Sequence, residues 1–381
     1  MSREVLLTGF GVRTAFGSGA DALREGVFDG RPAFAPITRF DTGPYRTGLA
    51  ATAGEAVPLH ESLAKTATAA IGMAGLPARA DAAVLVGTAG DFASLTRFWR
   101  AEAENRGTPG GTGQTVPAWQ AEALAGELGA RGPRLAFTNA CVASATAIVH
   151  ACRLIASGRV DIAICAGAYL VEEENLAKFG SGFALSRDGM VRPFCAGRSG
   201  LLLGDGAAAV VLESADSARR RGARALAALT GWGAACDAYH VAKPHPDGAG
   251  LASAARQALR RAGDPRIDYV NAHGTATKAN DPAETRGLRA LFGDRAEAVP
   301  VSSTKSTTGH LLEAAGVVEL VITLLALRDG VLPPTAGFTE PDPACDLDYV
   351  PNRPLRAEIR RAMSVNAAFG GANTALVLER A

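Results

Sequence analysis

The chain has 381 residues, of which 48% are hydrophobic, and this length suits one large domain or two fused ones with a substantial core. Its 39 basic and 38 acidic residues leave a formal net charge of +1. This balance, without a long basic run, excludes general nucleic-acid binding. The apolar run within the first 12 residues is short and broken by glycine, so it predicts neither a signal peptide nor a membrane span.

Apolar, β-branched runs bounded by glycine or charge alternate with helical patterns along the whole chain. The predicted strands are residues 4–10, 82–88, 161–167, 207–213, 225–232, 267–273, 361–368 and 374–379. The predicted helices are residues 143–156, 214–221, 251–262 and 311–327. This alternation predicts an α/β protein with layered sheets.

A polar, charged stretch at residues 213–225 predicts a seam between two halves, 1–214 and 215–381. Each half would contain strands, covering helices and at least one motif whose side chains could take part in a reaction. The glycine- and threonine-rich stretch 107–116 predicts a mobile surface loop.

Cys141 lies between a strand-like run and a helix-compatible segment rich in alanine, valine and isoleucine. A helix N-terminus favours a thiolate, and its free N–H groups can hold an oxyanion. Taken alone, a cysteine among small apolar residues is more often a buried hydrophobic residue. We keep that interpretation for the other five cysteines, which are Cys152, Cys165, Cys195, Cys236 and Cys345. Since no two cysteines have CxxC spacing, neither a zinc site nor a disulfide framework is predicted, and a reducing cytoplasm fits best.

Two histidines and a lysine stand in comparable settings. His273 ends a predicted strand before a turn of small residues, so its ring can project into a cleft. His310 precedes the predicted apolar helix at 311–327, and Lys305 lies five residues earlier across a turn rich in serine and threonine. A nucleophilic thiol with two imidazoles suits acyl-thioester chemistry. The alternative for a lone histidine at a helix start is a polar cap.

Several nearby residues have simple structural interpretations. Asp281 and Glu284 have the spacing of a first helical turn, where acidic side chains are favoured as caps. The structural interpretation of Phe369 and the two glycines after it is a tight turn between strands with no chemical role. Surface or satisfied polar roles are expected for the other histidines, His60, His150, His240 and His245.

Four segments, TNACVASATAIVHA, NAHGTATKANDPAE, SSTKSTTGHLLEAAG and NAAFGGANTA, occur in the order and spacing of one family. The chain resembles the β-ketoacyl-acyl-carrier-protein synthases, the condensing enzymes of the thiolase superfamily. The resemblance implies a five-layered αβαβα fold built from two similar halves. It also implies a cytoplasmic homodimer, or a heterodimer with a related ketosynthase-like subunit. No metal and no bound cofactor are required, because the phosphopantetheine of an acyl carrier protein brings both substrates.

The resemblance also implies roles for individual residues. Cys141 would take the acyl chain as a thioester, and His273 and His310 would bind the malonyl-thioester carbonyl and promote loss of CO2. The two histidines would act mainly in decarboxylation rather than as bases for the thiol. The backbone N–H groups of Cys141 and Phe369 would form the oxyanion hole, with Phe369 also gating the acyl pocket. Lys305 would support the His310 region. The supporting residues are Glu319, as the ion-pair partner of Lys305, with Asp281, Glu284, Thr275, Thr277, Gly370 and Gly371.

The chain departs from the family pattern at positions around these groups. The departures are Val142, Cys195, the triplet 198–200, Glu313, Ala368 and the short regions 43–81 and 185–192. Glu313 could raise the pKa of His310 or point to solvent, and Ala368 could stiffen the turn or occupy an ordinary β conformation. Together they favour a specialised pathway, such as a discrete polyketide assembly line, over housekeeping fatty-acid elongation.

Alternative functions stay open at this point. One is an acyltransferase or cyclising relative that keeps the acyl-cysteine and changes the acceptor. Another is a non-catalytic partner like a chain-length factor, although such partners typically lack the nucleophilic cysteine that is kept here as Cys141. A thiolase is disfavoured because no second active-site cysteine motif appears near the C-terminus.

Overall fold

The computed structural model describes residues 3–54, 57–77, 79–107 and 112–381. The strands are β1 (Val5–Thr14), β2 (Gly17–Ser18), β3 (Ala35–Pro36), β4 (Leu49–Ala50), β5 (Ala82–Gly87), β6 (Arg134–Phe137), β7 (Ile162–Tyr169), β8 (Gly206–Ser214), β9 (Ala227–Cys236), β10 (Tyr269–Asn271), β11 (Val301–Ser302), β12 (Val331–Leu332), β13 (Leu355–Arg356), β14 (Arg361–Ala367) and β15 (Ala372–Arg380). The α-helices are α1 (Gly19–Leu23), α2 (Leu59–Ala74), α3 (Phe92–Ala103), α4 (Pro117–Leu128), α5 (Ala143–Ala156), α6 (Glu173–Ser181), α7 (Ala215–Arg220), α8 (Ala249–Arg261), α9 (Asn280–Phe292), α10 (Lys305–Thr308) and α11 (Ala315–Asp329).

Ten strands form two sections with the same internal order. The N-terminal section runs β6-β5-β7-β8-β1, and the C-terminal section runs β11-β10-β14-β15-β9. In each section the first three strands are parallel and the last two pairings are antiparallel. The sections meet where Leu6 and Leu7 of β1 pair with Ala228 and Ala227 of β9. The chain therefore consists of two similar halves, as predicted.

Helices α5 and α11 lie between the two sections and pack against strands of both. Residues 315–327 of α11 are all buried, as expected of a helix that is apolar on every side. A Cβ on Gly316 would lie 2.6 Å from the Cβ of Ala145, so these two helices are in direct contact. Helices α2 and α4 cover the outer face of the N-terminal section, and α8 and α9 cover that of the C-terminal section. The layers are thus αβαβα, which confirms the predicted fold class.

The eight predicted strands are present, with ends shifted by a few residues, and the predicted helix at 143–156 is α5. The start of the predicted helix at 311–327 is wrong. Residues Leu312–Ala314 form a 3-10 turn in which Leu312 has a φ of 40°. Because an α-helix needs negative φ, α11 begins only at Ala315.

Residues 108–111 of the predicted surface loop 107–116 lie outside the described residues, as do residues 55–56 and 78 of the short region 43–81. Of the helices in the described ranges, none is long and apolar enough to cross a membrane.

Candidate active site

A cavity of about 740 Å³ brings together the three side chains that the sequence picked out as reactive. Cys141 reaches it from the turn after β6, His273 from the turn after β10, and His310 from the turn after α10. The first residue belongs to the N-terminal section and the other two follow elements of the C-terminal section. The site therefore forms where the two sections meet.

Cys141 sits in a 3-10 turn, Ala140–Val142, directly before α5. Ala140 has a φ of 54°, an uncommon conformation that is found where a chain turns sharply at a functional site. The thiol is 6% exposed, and its Sγ lies 3.1 Å from Nε2 of His310. This contact makes His310 the group placed to exchange a proton with the thiol.

The thiol is not poised as a thiolate. Burial, with a further contribution from the Glu313 carboxylate, raises the pKa of Cys141 to about 12, against the opposing effect of Lys305. We had expected the helix N-terminus to favour the thiolate. That expectation is wrong, because desolvation of the charged form outweighs the helix dipole.

The two imidazoles form an edge-to-face pair. Their ring centroids lie 5.3 Å apart and their planes are nearly perpendicular. Burial, followed by the Lys305 charge, holds the pKa of both His273 and His310 well below the usual histidine value. Both rings are therefore neutral at pH 7, and each can donate one N–H to a substrate oxygen.

Lys305 is buried and is paired with a buried carboxylate. Its Nζ lies 2.5 Å from Oε1 of Glu319, and Nδ2 of Asn366 donates to the other oxygen of that carboxylate at 2.5 Å. The ion pair that the resemblance implies is therefore present in the structure. Asn366 was missed, since nothing in its local sequence marks it as a ligand of a distant glutamate.

Glu284 and Asp281 do more than cap α9. The two Glu284 oxygens accept hydrogen bonds from the backbone N–H groups of His273 and Gly274, each at 2.7 Å. Oδ2 of Asp281 accepts from the backbone N–H of Phe194 at 2.8 Å. Burial raises the pKa of Glu284 to about 7 and that of Asp281 to about 6. Glu284 therefore positions the His273 turn and Asp281 holds the backbone at Phe194, which the capping interpretation did not anticipate.

Thr275 and Thr277 line the cavity. Their hydroxyl oxygens lie 2.9 Å apart, and the Thr277 carbonyl accepts from Nε of Arg198 at 3.1 Å. Arg198 also pairs with Asp342. Cys195, three residues before Arg198, is buried, and its Sγ accepts from the backbone N–H of Thr339 at 3.4 Å. This departure from the family pattern therefore has a packing role.

Phe369 stands at the mouth, 49% exposed, and its ring stacks on Phe179 of α6 with centroids 5.7 Å apart. Gly370 and Gly371 have φ values of 83° and 77°, so the turn needs its glycines there. Ala368 is extended, with φ −142° and ψ 159°. Its methyl group costs no strain, and of the two alternatives for this residue the ordinary β conformation is correct.

Glu313 neither points to solvent nor raises the pKa of His310. It lies in the 3-10 turn before α11, its side chain is half-buried, and its carboxylate acts on Cys141 instead. Burial raises the pKa of Glu313, and Lys178 opposes that shift. Val142, another departure, is fully buried beside the nucleophile.

Sequence reasoning missed the side chains that the folded loops bring to the cavity. Phe179 was not singled out, because only the fold places α6 opposite Phe369. Four exposed cations line the cavity, namely Lys178, Arg187, Lys243 and Lys278. They come from separate segments and form no run, so they leave no signal in the sequence. In the described ranges, no group of histidine, cysteine and acidic side chains is arranged to hold a metal ion.

The fold is αβαβα, built from two similar halves, and a cysteine and two neutral histidines lie where the halves meet. These features define a thiolase-like, cysteine-dependent acyltransferase site. The chain matches the model of the β-ketoacyl synthase N-terminal domain over residues 47–218 and that of the C-terminal domain over residues 226–339. It belongs to the β-ketoacyl synthase family, which confirms the family and enzyme class predicted from the motifs.

Similar proteins come from both fatty-acid and polyketide systems. The chain is 35% identical to 3-oxoacyl-[acyl-carrier-protein] synthase 2 of Coxiella burnetii, over 99% of each chain. It is 36% identical to the tetracenomycin polyketide synthase ketoacyl synthase alpha subunit of Streptomyces glaucescens, over 99% of this chain and 97% of the relative. Among solved structures, the ishigamide ketosynthase/chain length factor matches over 100% of both chains, with a TM-score of 0.94 and 33% identity.

Proposed function

We propose that this protein is a β-ketoacyl synthase that condenses an acyl group held on Cys141 with a malonyl group held on an acyl carrier protein, with loss of CO2. The observation that carries the proposal is the 3.1 Å contact between the Cys141 thiol and His310, with neutral His273 beside it in the same cavity. The relatives come from both fatty-acid and polyketide systems, and the departures from the family pattern at Val142 and Glu313 are the reason for proposing a specialised polyketide or fatty-acid-like pathway.

The raised pKa of Cys141 makes proton removal part of the acylation step. As Sγ attacks the acyl thioester carbon, His310 Nε2 accepts the thiol proton, and the proton then passes to the departing pantetheine sulfur. The backbone N–H groups of Cys141 and Phe369 hold the oxyanion in this proposal. His310 thus has a role in acylation beyond the purely decarboxylating one that we expected from the sequence.

Decarboxylation uses both imidazoles in their neutral form. Each donates an N–H to the malonyl-thioester carbonyl oxygen, where negative charge grows as the bond to the carboxylate breaks and CO2 leaves. The enolate carbon then attacks the acyl-Cys141 carbonyl, forming the carbon–carbon bond and releasing the cysteine sulfur. Burial, and next the charge of Lys305 in its pair with Glu319, holds the pKa values of both histidines low.

The cavity suits a substrate delivered on a phosphopantetheine arm. Its four exposed cations, Lys178, Arg187, Lys243 and Lys278, match a phosphate and an acidic carrier surface. The carrier is therefore the proposed partner and the protein itself holds no cofactor. A related ketosynthase-like subunit, identical or different, is the second proposed partner. In the described part of the chain, the outermost strand β6 pairs with β5 alone, which leaves an edge for another subunit. A cytoplasmic location and the halves 1–214 and 215–381 stay predictions.

The test is intact-mass analysis after incubation with acyl- and malonyl-carrier proteins. We expect an acyl adduct on Cys141, release of CO2 and transfer of the extended chain to the carrier. A wild-type protein that forms no adduct, or an adduct mapped to another cysteine, would falsify the proposal.

A second candidate is an acyltransferase or cyclising enzyme, which the unusual carboxylate of Glu313 near Cys141 favours. The same experiment separates the two functions. Acyl transfer to an acceptor without CO2 release identifies this alternative. A non-catalytic partner subunit, in contrast, would take no acyl group at all.

A further inference from the structure

We propose that Phe183 is an apolar anchor for the acyl carrier protein at the mouth of the cavity, and that this anchor selects carriers with an apolar side chain beside the phosphopantetheine arm. The inference rests on the proposed function and describes the partner of the same site. It concerns a side chain that has no part in the condensation chemistry described above.

Phe183 occupies a backbone position that normally belongs to glycine. It follows the end of α6 by two residues and has a φ of 55°. Its N–H donates to the Gly180 carbonyl at 3.1 Å, and the N–H of Ala184 donates to the Phe179 carbonyl at 3.0 Å. These two bonds form a Schellman motif, in which the left-handed residue is usually glycine because a Cβ is unfavourable there. The stability of the helix end therefore does not explain a phenylalanine at this position.

Burial does not explain the phenylalanine either. Phe183 is 72% exposed, although it lines the cavity that contains Cys141. The guanidinium carbon of Arg46 lies 5.0 Å from the centroid of its ring, and this cation–π contact holds the ring at the opening. An exposed aromatic side chain that is held in an unfavourable backbone conformation indicates a role in binding rather than in folding.

Other apolar side chains continue this surface at the mouth. Phe369 lines the cavity and is 49% exposed, and its ring stacks on Phe179, four residues before Phe183. Val241 is 77% exposed, and the three residues after it line the cavity. Its carbonyl accepts from the backbone N–H of the residue after Phe369 at 2.7 Å. The exposed side chains of Phe183, Val241 and Phe369 therefore lie at one opening.

The charge around the opening is positive. None of the four exposed cations that line the cavity forms an ion pair within the described residues. Asp237 is the one carboxylate among the described lining residues, and it accepts hydrogen bonds from the backbone N–H groups of His245 and Gly250. An unpaired positive rim around an apolar opening is complementary to a partner surface in which carboxylates flank an apolar side chain.

The carrier protein fits this surface better than a second subunit does. Its arm passes through the opening to reach Cys141 and leaves again after each reaction, so its surface meets Phe183 in every cycle. A subunit seated permanently on Phe183 would cover the opening that leads to the nucleophile. The ring of Phe183 therefore packs on a carrier side chain next to the arm, and aromatic residues are common among the side chains that dominate binding at interfaces.

The experiment compares a hexanoyl group on an acyl carrier protein with the same group on free pantetheine. Acylation of Cys141 is followed by intact mass over a range of substrate concentrations. Phe183→Gly should raise the half-saturating concentration of the carrier-borne substrate at least about 10-fold, the effect of losing a dominant interface side chain. Its maximal rate, and its reaction with hexanoyl-pantetheine, should not change. Its stability in urea should equal or exceed that of wild type, because glycine suits the left-handed position.

Phe183→Leu should keep most of the affinity for the carrier, because it keeps an apolar side chain at the opening. Met73→Ala, at an exposed apolar side chain of α2, is the matched control and should behave as wild type.

Two further comparisons separate the apolar contact from the charges. Replacing the carrier's apolar residue beside the arm with serine should weaken the reaction of wild type but not that of Phe183→Gly. Raising the ionic strength from about 0.05 M to about 0.5 M should weaken both proteins by the same factor, because salt screens the cations and not the apolar contact. The carrier variant decides the matter on the wild-type protein even where Phe183→Gly does not fold.

Equal half-saturating concentrations of the carrier-borne substrate for wild type and Phe183→Gly overturn this inference and leave the proposed function intact. An equal loss with hexanoyl-pantetheine also overturns it, because the ring would then bind the arm or the acyl group. So does a change from dimer to monomer in the sedimentation of Phe183→Gly, because the ring would then contact a second copy. If wild type takes a hexanoyl group from neither substrate, the proposed function is removed and this inference with it.

Discussion

The two sides of Cys141 differ in how their buried acidic groups are paired. On the C-terminal side, Glu319 is paired with Lys305, and Glu284 accepts two backbone hydrogen bonds. On the N-terminal side, Glu172 accepts one backbone hydrogen bond and is crowded by other acids, and burial together with those charges raises its pKa to about 9. The acids of the C-terminal side are therefore held by a cation and by N–H donors, whereas Glu172 stays neutral at pH 7.

The largest expected effect on activity comes from replacing Cys141, which lies between the two sides. Cys141→Ala should lower condensation by at least about 10⁴-fold, since loss of a catalytic nucleophile commonly has effects of that size. Acylation should disappear with it in intact-mass analysis. Cys236→Ala, at the one exposed cysteine among the described residues, is the matched control and should be acylated normally.

Replacement of either histidine tests the C-terminal side of the site. His273→Ala should lower CO2 release by about 10²–10³-fold, the usual effect of losing a charge-stabilising donor, while acylation persists. His310→Ala should slow both steps, because only His310 contacts the thiol in the described structure. Full acylation of His310→Ala would remove its role as proton acceptor and restore the purely decarboxylating role.

Breaking the buried ion pair should cost stability. Lys305→Met leaves the Glu319 carboxylate buried and uncompensated, so we expect a loss of about 3–5 kcal/mol in the free energy of unfolding. The double variant Lys305→Met/Glu319→Leu should recover a large part of that loss in urea denaturation. If the single variant is as stable as wild type, the Lys305–Glu319 ion pair does not stabilise the folded protein.

The last effect concerns Glu172 and is the smallest at pH 5, because it grows only as the pH rises. Burial, and next the charge of Asp91, raises the folded-state pKa of Glu172 to about 9 from the ordinary glutamate value of 4.5, so its contribution to stability is complete below pH 4.5 and is lost as pH rises towards 9. Glu172→Gln should match wild type near pH 5 and become relatively more stable at higher pH. The difference can grow by at most about 1.4 kcal/mol per pH unit. Parallel stability profiles of the two proteins from pH 5 to 9 would show that Glu172 is charged throughout.

The sequence predicts the C-terminal side of the site better than the N-terminal side around Glu172, and the reason is physical. Strand ends and small-residue turns mark Cys141 and His273, because these residues need a particular local backbone. The pairing of Glu319 with Lys305 followed from the resemblance. Glu172 matters only through burial and through neighbours distant in the chain, which no local pattern encodes. Glu313 was recognised as unusual, but its 3-10 turn and its direction towards Cys141 depend on packing against β7.

The nucleophile and the base in contact with it are 169 residues apart in the chain. During synthesis at about 5–20 residues per second, the thiol leaves the peptidyl-transferase centre roughly 10–30 s before its histidine exists. The N-terminal section can assemble in that interval, but its cysteine has no histidine to accept the thiol proton. Histidine-assisted acylation therefore requires synthesis of the C-terminal section, and a chain truncated before residue 310 lacks it.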